Sequence, residues 1–322
     1  MSAKISVIIC SYNYARFLPQ CLQSVISQSR PADEIILIDD GSTDETPAIA
    51  KAFPQVRYFR QNNAGKAVAF NRGFCESHGD ILCHLDADDY WLPEKLASVT
   101  DAFGRTTAGG LFHDAIYVDG EGRILPRTKT SQRPDMLERI ISLYDALVCC
   151  FIYPPPNAVR GGFAVSNTIC VRREAVEDCF PLAASLGLGV DGALIFSSAR
   201  RGLLCLPGKL SAYRHHGGNN FVSDPKSTEY QRRLYQWLST MSGVTPKDRR
   251  LLHALTMEMD AHLAAYLRRN PIGGAFEAAR LLPELIGLGL VPHWKHLALP
   301  VASLIGWRKI GRARPAIAAE RV

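Results

Sequence analysis

Glu34-Ile35-Ile36-Leu37-Ile38-Asp39-Asp40-Gly41-Ser42-Thr43-Asp44 decides the fold. The apolar run Ile35 to Ile38 is too short for a helix and rich in β-branched residues, so it reads as a buried strand. Gly41 supplies a turn, and Ser42 or Thr43 caps a helix that follows. The same strand-turn-helix pattern recurs on either side. Strands are expected at about 4–10, 34–39, 55–60 and 80–85, with helices between them. Leu18, Leu22, Val25 and Ile26 keep the 3.6-residue period of a helix that covers one sheet face. Further helices are expected at 44–53 and 65–77, and Pro93 sets the start of another with Leu96, Val99 and Phe103 inward. Such alternation yields a parallel sheet covered by helices.

Beyond Gly104 the pattern changes. Gly110 to Val118 and Arg123 to Pro126 flank Asp119-Gly120-Glu121-Gly122, which resembles a hairpin connection, so the sheet becomes mixed. A helix near 135–147, a loop over the Pro154-Pro155-Pro156 and Gly161-Gly162 stretch, a strand at 164–171, a helix at 191–201 and a strand at 203–214 complete this domain. From Thr228 onward the chain reads as helical, cut by Pro271, Pro283, Pro292 and Pro300. The expected organisation is an α/β domain over 1–222 and a helical extension over 223–322.

The composition, 47% hydrophobic and 21% charged residues, is that of a globular protein. Met1 to Lys4 run directly into Ile5 to Cys10 without the basic start and longer apolar stretch of a secretory signal, so a cytoplasmic location is expected. The nine cysteines include no Cys-x-x-Cys spacing, which fits a reducing compartment. The vicinal Cys149-Cys150 pair reads as small apolar filler. Residues 225–322 hold 15 Lys and Arg against 7 Asp and Glu, a net of +8. No uninterrupted apolar stretch approaches the ~20 residues of a membrane span.

Two acidic constellations carry the chemistry. Asp39-Asp40 stand at the C-terminal end of a buried strand, the edge at which open α/β sheets bind ligands. Taken alone, that segment reads equally as an ordinary strand-turn-helix junction. Leu82-Cys83-His84-Leu85-Asp86-Ala87-Asp88-Asp89 ends a second strand in three carboxylates within four residues. Like charges so close need a cation or hydrogen bonds, and Mg2+ or Mn2+ held by carboxylates and substrate phosphates suits them. A solvated acidic turn before the Pro93 helix is the competing reading. Between the two lies Gly65-Lys66, at a helix start whose free N–H groups favour anions, with Arg72 adding positive charge.

The succession Ser6 to Asn13, Ser24 to Gln28, Asp39 to Asp44, Gly65-Lys66 with Asn71-Arg72-Gly73, and Asp86 to Asp89 resembles the family 2 glycosyltransferases over residues 4–100. The resemblance implies a GT-A-type fold with a mixed, mostly parallel sheet, a nucleotide-diphospho-sugar donor, a divalent metal and inversion at the anomeric carbon. It places Cys10, Tyr12, Asp40, Lys66, Arg72 and Asp86 around the donor, with Asp40 at the base and Asp86 near the ribose. Asp88 becomes the main metal ligand. Gly189-Val190-Asp191-Gly192-Ala193-Leu194 fits the frame of the family's general base, with Val190 where a Glu is usual, so Asp191 is the candidate base. Tyr213 to Asn219 is similar to a closing Arg-x-His-x-Gly segment, and its His216 is a candidate for the metal or the diphosphate.

The implied partners are the nucleotide sugar and a saccharide or lipid-linked acceptor, with acceptor contacts expected from 127–162 and the C-terminal third. Trp294, Lys295, Trp307, Arg308, Lys309, Arg312 and Arg314 suit peripheral contact with an anionic membrane. Packing of those helices on the catalytic domain or on a second copy of the chain, as a homo-oligomer, is the competing reading. A dinucleotide-dependent oxidoreductase would need Gly-x-Gly-x-x-Gly where the chain has Ser11 to Arg16. Nucleic acid is not an expected partner, for the basic residues belong to no recognition module. A catalytically silent nucleotide-sugar-binding module stays open as the alternative function.

Overall fold

The computed structural model describes residues 3–125, 138–143, 145–147, 166–187, 189–217, 225–267 and 287. Its chain divides into two compact units, one of Met1–Phe221 with Thr240–Val244, the other of Val222–Ser239 with Thr245–Val322.

In the first unit β1 (Ile5–Ser11), β2 (Glu34–Asp39), β3 (Val56–Arg60) and β4 (Ile81–Asp86) run parallel in the order β3-β2-β1-β4. Register decides where their carboxylates fall. Ser11 pairs with Asp39, Asp39 with Arg60, and Cys10 with Asp86, so all four strands end at one edge. The order reverses beyond β1, and such a switch point is where open α/β sheets bind ligands.

Helices cover both faces. Ile5, Val7 and Ile9 share a core with Leu18, Cys21, Leu22 and Val25 of α1 (Leu18–Ile26) and with Leu96, Val99 and Phe103 of α4 (Lys95–Gly104). These are the apolar stripes that the helical period predicts. On the other face α3 (Lys66–Glu76) approaches closely, because a Cβ on Gly73 would stand 2.5 Å from Ile8 Cγ2. Between α1 and α3 in sequence, the short α2 (Thr46–Lys51) follows the turn at Gly41. Gly41 has φ +83°, and a Cβ there would meet the Asn63 nitrogen at 2.8 Å, so a side chain would be excluded twice over.

The sheet then becomes mixed, as expected. After β5 (Tyr90–Trp91) the long strands β6 (Gly110–Val118) and β9 (Leu203–Arg214) run parallel to each other, and β8 (Ile169–Arg172) is antiparallel between β4 and β6. The Asp119 to Gly122 turn forms: Asp119 N–H donates to the Arg123 carbonyl at 2.9 Å, and Val118 bridges Ile124. The helix expected over 135–147 is corrected in part: 143 and 145–147 are helical, with Ala146 N–H donating to the Ser142 carbonyl at 3.0 Å, but 140–141 are not. Ile140–Ile141 form β7, which adds antiparallel to Leu203 and Leu204 of β9. A short apolar run cannot be told from a helix segment by periodicity, and the open edge of β9 decides it. A helix, α5 (Val190–Ala199), follows Gly189.

The second unit contains α6 (Pro225–Ser239) and α7 (Pro246–Leu267). Thr245 caps α7 reciprocally: its Oγ1 accepts from Asp248 N–H at 3.1 Å while Asp248 Oδ2 accepts from Thr245 N–H at 3.0 Å. Among the described residues no helix is long and apolar enough to cross a membrane. Cys149-Cys150, most of the expected acceptor region 127–162, and Trp294, Lys295, Trp307, Arg308, Lys309, Arg312 and Arg314 lie outside the described residues.

Candidate functional site

Asp40, just past β2, is buried and accepts three hydrogen bonds: Gln61 Nε2 at 2.8 Å, Ala64 N–H at 3.0 Å and Gly65 N–H at 2.8 Å. It therefore fixes the loop that starts α3. A carboxylate offers about four acceptor positions, so three bonds do not exhaust it. Asp39, directly before it, is structural, because it accepts from Ser42 N–H and the Tyr58 hydroxyl. At the end of β1, Cys10 is buried, which pushes its thiol pKa up, with Lys66 acting in the opposite sense. Tyr12 is exposed.

The loop held by Asp40 delivers Lys66. Its Nζ lies 2.9 Å from Asp86 Oδ1 at the end of β4 and 3.3 Å from Asp191 Oδ1 in the first turn of α5. Burial favours the neutral amine, yet the Asp191 and Asp86 carboxylates outweigh it and raise the ammonium above the ordinary lysine range. Lys66, Asp86 and Asp191, 125 residues apart at the extremes, thus form one ion-paired group. Arg72 does not join them. Its guanidinium donates to the Arg60 carbonyl at 2.7 Å and lies over the Phe59 ring, on the β3 side of the sheet.

Asp86, Asp88 and Asp89 present carboxylate oxygens within 4.8 Å of one another. The three are not equivalent. Asp89 is buried and serves as an anchor, accepting from Arg214 N–H at 2.8 Å and Asn167 Nδ2 at 2.9 Å. Burial, with the Asp88 and Asp86 charges beside it, holds its pKa well above the ordinary range. Asn167 is held in turn, since its carbonyl accepts from Trp91 Nε1 and from the fully buried Lys95 ammonium. Asp88 Oδ2 lies 3.1 Å from His216 Nε2, and the His216 ring packs on Phe17 at 4.6 Å. Hard carboxylate oxygens clustered this tightly, beside an imidazole nitrogen, are a donor set that fits Mn2+ or Mg2+.

Arg214 connects these parts. Its Nε donates to the Asp88 carbonyl at 2.8 Å, a second nitrogen donates to Gln20, and the guanidinium lies over Phe17. The chain end of β9 is thereby locked to the turn after β4, which brings His216 to Asp88. Reading the sequence missed Asp89, Asn167 and Arg214 as this frame, and also His84. The imidazole of His84 is buried on β4, with Nε2 3.5 Å from Asp86 Oδ1 and Nδ1 3.5 Å from Asp191 Oδ1. A histidine inside an otherwise apolar strand, two residues before the acidic motif, was the available signal.

The parallel half-sheet with an acid-ended β4, extended by antiparallel β8 and the β6–β9 pair, defines a GT-A-type transferase fold. TarS from S. aureus, residues 1–349, matches it with a TM-score of 0.63 at 15% identity, over 96% of this chain and 92% of that one. A mannosyltransferase from Pyrobaculum calidifontis, solved with GDP-Man and Mn2+, matches with a TM-score of 0.52 at 17% identity, over 93% and 87%. In sequence, an uncharacterized glycosyltransferase from Nostoc sp. is 32% identical over 235 residues, 71% of this chain and 70% of that protein. Residues 6–160 match Glycosyl transferase family 2, and the chain belongs to that family.

Proposed function

We propose that this chain is an inverting transferase that moves a hexosyl group from a nucleoside-diphosphate donor to a hydroxyl of a saccharide or lipid-linked acceptor. The observation that carries this reading is the meeting of Lys66, Asp86 and Asp191 beside the Asp88–His216 pair at one sheet edge. The structural neighbours support it, one being TarS in complex with UDP-GlcNAc and another a mannosyltransferase in complex with GDP-Man and Mn2+.

In this reading Asp40 uses its remaining acceptor position on the nucleobase, with Cys10 and Tyr12 beside it, and Asp86 receives a ribose hydroxyl. Asp191 takes the proton of the acceptor hydroxyl on one face of the sugar while the nucleoside diphosphate leaves from the other. No covalent enzyme intermediate is needed. Lys66 supplies fixed positive charge next to the departing diphosphate. A divalent metal, Mn2+ or Mg2+, would be held by Asp88 with Asp86 and His216 beside it, and supplies Lewis-acid charge compensation for the leaving group. The net +8 of residues 225–322 supports attachment to an anionic membrane surface, where a lipid-linked acceptor resides.

The test is release of UDP from UDP-N-acetylglucosamine and of GDP from GDP-mannose in the presence of saccharide and lipid-linked acceptors, alongside thermal shift with each donor, with and without Mn2+. Metal-dependent release of nucleoside diphosphate is expected for one donor. Metal-dependent stabilisation with no release would favour the silent binding module instead.

A further inference from the structure

His84 is almost fully buried, and its ring meets Phe70 edge-on at a centroid distance of 4.8 Å. Neither ring nitrogen has a hydrogen-bond partner among the described residues. Leaving a buried polar group unmade costs about 1–3 kcal/mol, whereas a phenylalanine would fill the same space beside Phe70 without that cost. The nitrogens are nevertheless aimed at chemistry: each stands 3.5 Å from a carboxylate oxygen, Nδ1 from Asp191 and Nε2 from Asp86. Hydrogen bonds at catalytic sites are often long before substrate binds and close afterwards.

Lys66 divides its ammonium between two carboxylates. Its ammonium is shared with both oxygens of Asp86, at 2.9 and 3.0 Å, and its contact with Asp191 is the longer one at 3.3 Å. A diphosphate brought to this edge competes for the same ammonium. As Lys66 turns to phosphate oxygens, Asp191 loses that orienting contact, and His84 stands on β4, a rigid central strand, to replace it.

We propose that His84 is a positioning residue for Asp191. Its Nδ1–H closes on Asp191 Oδ1 in the donor complex and leaves Oδ2 as the oxygen that meets the acceptor hydroxyl. The proposal rests on the reading of Asp191 as general base.

Three variants of the full chain test it: His84→Phe, His84→Asn and His84→Gln. An asparagine amide nitrogen occupies the place of Nδ1, facing Asp191, and a glutamine amide nitrogen that of Nε2, facing Asp86. The probe is whichever of UDP-N-acetylglucosamine and GDP-mannose the parental chain turns over with Mn2+. His84→Phe is expected to lower kcat between about tenfold and hundredfold, with donor KM unchanged within about twofold, because misplacing a catalytic group costs on this scale. His84→Asn should return kcat to within about threefold of the parental value, and His84→Gln should not.

Parental kcat in His84→Phe, or equal losses in the Asn and Gln variants, would overturn the proposal. Should the Phe variant melt early, the Asn and Gln pair still decides. Asp191→Asn separates this outcome from failure of the underlying reading. If it transfers at the parental rate, Asp191 is not the base and the role of His84 falls with it. If it is inactive while His84→Phe is parental, only the role of His84 fails. A parental chain that releases nucleoside diphosphate from neither donor removes both.

Discussion

Replacing Lys66 with methionine keeps the stem buried at the start of α3 and deletes the ammonium that two carboxylates share. At separations of 2.9 and 3.3 Å, each contact is worth about 5 kcal/mol gross at an effective dielectric near 20. Desolvation of the ammonium offsets most of that in the parental chain, so the net worth of the cluster is far smaller. Breaking such a group by removing one partner costs ~3–5 kcal/mol when burial is complete, since an uncompensated charge remains. Here the side chains of Asp86 and Asp191 keep 26% and 27% exposure, and water can partly replace the lost cation. The expected loss is therefore about 2–3 kcal/mol, a fall in Tm of roughly 3–5 °C for a chain of this size. Thermal unfolding measured with and without Mn2+ checks it. The variant should recover more stability from Mn2+ than the parental chain does, because the acidic edge has lost its own cation. Lys66 has a raised folded pKa, so its contribution is fully present below the ordinary lysine value of 10.5 and is lost only as pH rises through the folded value. The difference between parental chain and variant should thus be flat across neutral pH. An unchanged Tm together with an identical Mn2+ response would show that the ammonium does not hold these carboxylates.

Asp88→Ala is expected to abolish Mn2+-dependent donor binding by thermal shift while the far-UV spectrum stays parental, for the residue sits at a strand end beside His216. Undiminished metal-stimulated turnover in that variant would reassign the ligand. Asp191→Asn should keep donor affinity and lower transfer by ~10²-fold or more, because an amide preserves shape but cannot take the acceptor proton. In α6, Glu229 is held at about 2 by hydrogen bonds from Arg232 and then Arg233. Its depressed pKa stabilises above the unfolded value of 4.5 and loses that contribution as pH falls toward 2. Glu229→Gln should cost less than about 1 kcal/mol at pH 7, as partly exposed ion pairs do, and less again at pH 2, where the carboxylate is partly protonated; an equal cost at both would refute the pairing. Full-length chain should co-sediment with anionic vesicles at low salt more than a truncation after about residue 290. Equal recovery in the supernatant would favour packing of the C-terminal helices on protein.

The parallel half of the sheet was legible because local signals agree there. Buried strands of uninterrupted apolar residues, glycine turns and 3.6-residue stripes all specify the same strand and helix ends, and β2 and α1 fall where their patterns place them. The convergence of Asp40, Asp86 and Asp88 at one edge follows from parallel register alone. Arg72 shows where such reasoning stops. A helix period places a residue on a face, but the charge beside it then chooses its partner, and the nearby Arg60 carbonyl and Phe59 ring take Arg72 to the β3 side. The strand at Ile140–Ile141 was illegible for a different reason: its partner lies more than sixty residues later, and pairing to β9 overrides a weak local preference.

The two halves of the sheet have separate tasks, and Asp89 is the residue that joins them. The parallel half sets out acids at strand ends, which is enough to gather Lys66 against Asp86. It does not by itself bring an imidazole to Asp88. That requires β9 to return to the turn after β4, and the return is fixed by Asp89 accepting from Arg214 N–H and Asn167, by Arg214 Nε donating to the Asp88 carbonyl, and by the pairing of Tyr90 with Ala212. Three neighbouring acids repel one another where two of them are buried. Making one of them a hydrogen-bonded anchor with a raised pKa removes part of the repulsion and uses the residue as scaffold. The consequence is a division of roles within four residues: Asp86 faces the lysine, Asp88 faces the histidine, and Asp89 holds the strand that carries that histidine.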